Sequence, residues 1–149
     1  MHMQNVDRDR KEEESLARQY GLDLSMGPRF RECLRSLRQW ALIEGGPLPQ
    51  EPGILEIGRP GVPIGIRYPE GTHVPYPVRF VETENLERER RALAQERPAA
   101  GSSLCYVSYA IVTDPEYRSV FASALQGQLQ MERDAPLPSF VPVEVRSIL

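Results

Sequence analysis

The chain has 149 residues, 40% of them hydrophobic and 26% charged, and carries a net charge of −3. That is one ordinary domain's length with enough apolar content to bury a core, which excludes a chain disordered by composition. The acidic balance argues against a nucleic-acid partner, and no apolar run approaches the roughly 18 residues that a membrane span needs.

Residues 1–20 are polar and charged, with Asp7 to Arg10 alternating in sign before Lys11 and three glutamates. A helix is expected from about Asn5 to Tyr20, ended by Gly21. Its apolar content is thin (Val6, Leu16, Ala17 and Tyr20), so it reads as a helical arm that is solvated or lies on a neighbour. The charged start has no signal-peptide core, so a cytoplasmic or virion setting is expected.

After a turn at residues 22–28, the spacing predicts a helix from Pro28 to Glu44, stopped by Gly45-Gly46. Phe30, Cys33, Leu34, Leu37 and Ala41 form its apolar stripe, with Trp40 and Ile43 at the edges. Arg31, Arg35 and Arg38 fall on the opposite side. They read as a solvated face or as partners of the acidic first helix; a contact to nucleic acid or another anion is the alternative. Cys33 and Cys105 each sit on an apolar face and read as buried thiols.

Residues 47–53 are a short proline-rich linker, and Ile54–Ile57 reads as a strand. The stretch Gly58–Gly65 lacks the patterns of phosphate loops, and its prolines remove amide donors. It is expected to be a turn. Val62, Ile64, Ile66 and Tyr68 then alternate with polar or small residues, as do Tyr76, Val78 and Phe80. These are two strands of a hairpin with a wide loop from Pro69 to Pro75. Its exposed face would carry Arg67 and Arg79, while Tyr68 and Tyr76 would flank the loop as a contact surface.

A helix is expected from Thr83, its cap, to Arg97, before Pro98. It has few apolar contacts beyond Leu86 and Leu93 and carries Glu84/Arg88 and Glu87/Arg91 four apart. Leu104–Thr113 is the longest apolar, β-branched and aromatic run and reads as an interior strand covered on both faces. Thr113-Asp114-Pro115-Glu116 starts a helix, capped by either Thr113 or Asp114. Its expected stripe is Tyr117, Val120, Phe121, Ala124, Leu125 and Leu129. Last come a proline-rich stretch and a terminal strand in which Val141, Val143 and Val145 alternate with Pro142 and Glu144. Pro142 places it at an edge, in its own sheet or added to a neighbour's.

The order of elements reads as α+β: a single domain with a mostly antiparallel sheet of about four to five strands, helices packed against it, and a charged N-terminal helix. Residues 1–20 are the arm, 21–133 the core and 134–149 a proline-rich extension ending in a strand. The two histidines, His2 and His73, have no Cys or His at metal-ligand spacing, and no nucleophile pattern occurs. No catalytic residue, cofactor or metal is therefore expected. The reading is a non-enzymatic assembly subunit or adaptor that contacts other protein subunits, its own copies or others, as in a phage joint or tail or an accessory subunit. Candidate contact residues are Arg31, Arg35, Arg38, Arg67, Tyr68, Tyr76, Arg79, Val141, Val143 and Val145. The alternatives are a ligand-binding domain or enzyme with a pocket near the 62–82 hairpin, and a nucleic-acid regulator using the Arg31/Arg35/Arg38 face.

Overall fold

The computed structural model describes residues 27–65, 69, 72–96 and 104–145. The expected N-terminal helix, and the candidates Arg67 and Tyr68, lie outside the described residues. In chain order the elements are α1 (Gly27–Ser36), β1 (Ala41–Leu42), β2 (Gly53–Pro63), β3 (Val74–Thr83), α2 (Leu86–Glu96), β4 (Tyr106–Ile111), α3 (Pro115–Arg133) and β5 (Phe140–Pro142). The fold is α+β. Its strands form one antiparallel sheet in the order β1-β4-β2-β3, with β5 added to the far end of β2.

The period-2 pattern of β2 and β4 assigns the two faces of the sheet. Ile54, Phe80 and Ala110 face one way, against Phe30, Cys33, Leu34 and Leu37 of the α1 segment and Phe121, Leu125 and Leu129 of α3. Leu55, Ile57, Cys105 and Val107 face the other way, against Ile43 and Leu86 and, beside them, Leu93 of α2. Helices therefore cover both faces, which explains why β4 is apolar on both sides. Cys33 and Cys105 are both buried and outside any disulfide, as expected.

Four expectations need correction. The helix expected to run to Glu44 ends at Ser36, and Arg38 sits at φ 62, in the left-handed region. Tertiary bonds overrule the helical pattern there. Glu56 and Ser108 take the Arg38 N–H, Ile43 N–H reaches the Cys105 carbonyl, and the Trp40 ring sits against Gly58, where a Cβ would come within 2.6 Å of it. Arg38 is thus not on a helical face with Arg31 and Arg35.

The Gly58–Gly65 turn is also largely strand. Gly58 to Gly61 pair with Pro77 to Val74 after a register shift at Ile57/Gly58, so β2 is a single strand of eleven residues. A bulge lets the strand pass the prolines without losing its ladder. The cap of α2 is Asn85, not Thr83: its Oδ1 accepts the Arg88 N–H at 3.0 Å. Thr83 is the last residue of β3 and instead exchanges bonds with the Asn85 backbone.

The fourth concerns α3. Asp114 is its cap, accepting from Glu116 and Tyr117 N–H, with Pro115 at the first turn. Its buried face is Arg118, Phe121, Ala122, Leu125 and Leu129, leaving Tyr117 and Val120 exposed. Arg118 lies on the buried face and donates to the Val112 and Thr113 carbonyls. The terminal strand is three residues long and pairs within the chain's own sheet, Gly61 opposite Pro142.

Candidate functional site

The two long free edges of this sheet are treated differently. On the outer edge of β3, α3 occupies the backbone groups. Gln126 accepts the Phe80 N–H at 3.0 Å, and Arg133 donates to the Val78 carbonyl. Such side-chain cover is a standard way of blunting an edge against further pairing.

The outer edge of β4 has a partner only at its start. β1 spans two residues, Ala41 opposite Val107 and Leu42 opposite Tyr106. Alternation then shows which groups lie open. Val112 N–H bonds to Pro52 on the β2 side, and Cys105 C=O accepts from Ile43 on the β1 side. Even-numbered residues of β4 thus direct their backbone groups to β2, and odd-numbered ones direct them outward. Beyond Val107 no strand among the described residues pairs with that edge. The N–H and C=O of Tyr109 and Ile111 therefore face outward along an unpaired edge.

A groove of about 710 Å³ runs along this edge. α1 supplies one wall with Arg29, Glu32, Cys33 and Ser36; Tyr109, Ile111 and Thr113 supply the strand side; Asp114, Tyr117 and Phe121 close the end. Its apolar content includes two exposed side chains, Ile111 at 45% and Tyr117 at 41%. Arg29 lies over the Tyr117 ring at 4.7 Å, a cation–π contact that occupies the one cation among the described residues of the wall. Glu32 and Asp114 make the lining acidic, although Asp114 Oδ1 also caps α3. Cys33 is buried, and burial, with the nearby Glu56 charge second, pushes its thiol up to about 12. It is therefore not a thiolate at neutral pH.

The expected contact residues do not gather here. Arg35 is exposed and Arg31 half-buried on α1, with Arg38 beyond its end, and none of the three lines the groove. Tyr76 stacks on Phe140 at 5.1 Å, beside a smaller hollow, and Arg79 is exposed on β3. Val141 is exposed in β5, with Val143 and Val145 following it half-buried. His73, in the loop of the hairpin, meets the Tyr106 hydroxyl at 3.2 Å, away from the groove lining. Among the described residues no three His, Cys, Asp or Glu side chains converge as a metal site, and no helix is long and apolar enough to cross a membrane.

The burial of two carboxylates escaped the sequence reading, although the Glu87–Arg91 pair forms as its spacing implies. Glu56 is fully buried in the middle of β2, and Glu87 is buried at the start of α2. Ile54-Leu55-Glu56-Ile57 held the signal: one carboxylate in a strand apolar on both faces. Comparison with protein-family models, with curated proteins and with solved structures gives no match to this chain.

Proposed function

We propose that the protein is a non-enzymatic assembly or adaptor module that docks an extended, basic segment of a partner polypeptide along the outer edge of β4. The backbone groups of Tyr109 and Ile111, which no strand among the described residues pairs, carry this reading. Donors and acceptors at strand spacing are complemented by another backbone, and alternate side chains of the added strand give specificity. The β3 edge is blocked by Gln126 and Arg133, so the open edge of β4 stands out against a protected one. The groove beside it falls within the roughly 300–1,000 Å³ of clefts that enclose a ligand. Its carboxylates, Glu32 and Asp114, favour a segment with a basic side chain, because Arg29 is already engaged with Tyr117. Such a module suits a joint or tail component of a virion, or an accessory subunit of a cytoplasmic complex.

The test is to pan a phage-displayed library of random extended peptides on the full chain and measure each enriched peptide against Ile111→Pro. Proline removes the outward N–H of residue 111 and leaves the β2 ladder of Ala110 and Val112 in place. Enriched peptides are expected to be basic and to bind Ile111→Pro about tenfold more weakly, the loss of one good hydrogen bond with its neighbours. No enrichment, or equal binding to both proteins, overturns the proposal. Self-association of the free chain that Ile111→Pro abolishes would replace the foreign segment with a second copy.

A further inference from the structure

We propose that Glu56 is a protonation-controlled catch for α1: with its carboxyl neutral, the last turn of α1 and the Arg38 corner stay seated on the sheet, and its ionisation releases them. The catch concerns α1 itself and holds whether or not the groove receives a peptide.

The geometry is lopsided. Glu56 is 0% exposed, yet its hydrogen bonds all fall on Oε1, which receives the Arg38 N–H at 2.8 Å and the Ser108 hydroxyl at 2.6 Å. Oε2 has no hydrogen-bond partner and lies 3.9 Å from the Arg38 Nε. The guanidinium that could offset a charge there is on a side chain 36% exposed, so much of its field goes to water. The groups around Glu56 can be named element by element. The α1 segment presents Cys33 and, past its end, Arg38; β4 presents Ser108; β3 places Phe80 opposite; and α3 offers Phe121, Leu125 and Leu129 to the same layer. Among the described residues, Arg38 is the cation that acts on it. Burial raises the carboxyl above its ordinary value, outweighing the Ser108 and Arg38 bonds that act the other way.

What Glu56 holds is itself strained. Arg38 takes the left-handed conformation usually given to glycine at a helix end, which a side chain disfavours. Its N–H bond to Glu56 and Ser108 fixes that corner. An ionised carboxylate with one unpartnered oxygen favours water entry, and the corner is what must move to admit it. The sign follows from linkage: a carboxyl raised in the closed state and ordinary in the open one makes opening easier as pH rises.

Amide exchange of residues 30–38 in the full chain, wild type beside Glu56→Gln, reads the catch directly. The wild-type opening constant is expected to rise by up to about tenfold per pH unit above 4.5, relative to Glu56→Gln, until Glu56 ionises in place, with α2 unaffected. A parallel pH dependence in the two proteins overturns the proposal. Carbon-13 titration of the Glu56 carboxyl in the wild type needs no variant. A midpoint above 4.5 supports the catch, and one at or below 4.5 overturns it.

Discussion

Glu87 accepts the backbone N–H of Leu48 at 2.8 Å, joining the first turn of α2 to the loop between β1 and β2. Arg90 closes a fork on the same carboxylate, with Nε at 2.7 Å and Nη2 at 2.8 Å, and its Nη1 reaches the Ile43 carbonyl at 2.8 Å. Arg91 adds a further bond at 2.8 Å. A helix with little apolar surface is thus fastened by one buried anion.

That anion sets a pH dependence. The Arg90 bonds first, then the Leu48 N–H, hold Glu87 down to about 2 from an ordinary 4.5. A lowered carboxyl contributes stability that is present above 4.5 and lost as pH falls toward about 2. Glu87→Gln is expected to melt several degrees below the wild type at pH 7. The gap should narrow through that acid window, as followed by circular dichroism melts at a series of pH values. A gap independent of pH would remove Glu87 from this role.

Phe121 forms the centre of the layer between α1, α3 and the sheet, with its ring 4.7 Å from that of Phe30. Phe121→Ala is expected to cost about 3–5 kcal/mol in urea unfolding, through lost transfer energy and the cavity left behind. A cost under about 1 kcal/mol would mean that the layer is not packed as described.

Gly53 opens β2 where the sheet is tightest. A Cβ there would lie 2.2 Å from the Ala110 carbonyl oxygen, a backbone atom held in the β2–β4 ladder. Gly53→Ala should therefore destabilise by about 1–3 kcal/mol, although alanine has the better strand propensity. Unchanged stability in the same unfolding assay would contradict the register given for β2 and β4.

Much of the fold was legible because its signals are local. The β4–α3 unit announces itself by a β-branched run followed by Asp114-Pro115, and the cap is found where that pair puts it. The apolar stripe Phe30, Cys33, Leu34 and Leu37 is likewise buried as its spacing implies. What failed was set by partners distant in sequence. Nothing near Arg38 says that Glu56, 18 residues on, and Ser108, 70 residues on, will take its N–H and end the helix. Gly58 to Gly61 resemble a turn until β3 is there to pair with them. The candidate site was missed for the same reason. An open edge is a property of the sheet order and of the shortness of β1, and no residue type marks it.

The central claim is that the outer edge of β4 receives a strand, and residue-resolved amide exchange with and without a selected basic peptide tests it most directly. New protection is expected at Tyr109 and Ile111 alone along β4, since Ser108 and Ala110 already face β2. Protection spread evenly over the strand, or found only on other elements, would contradict it.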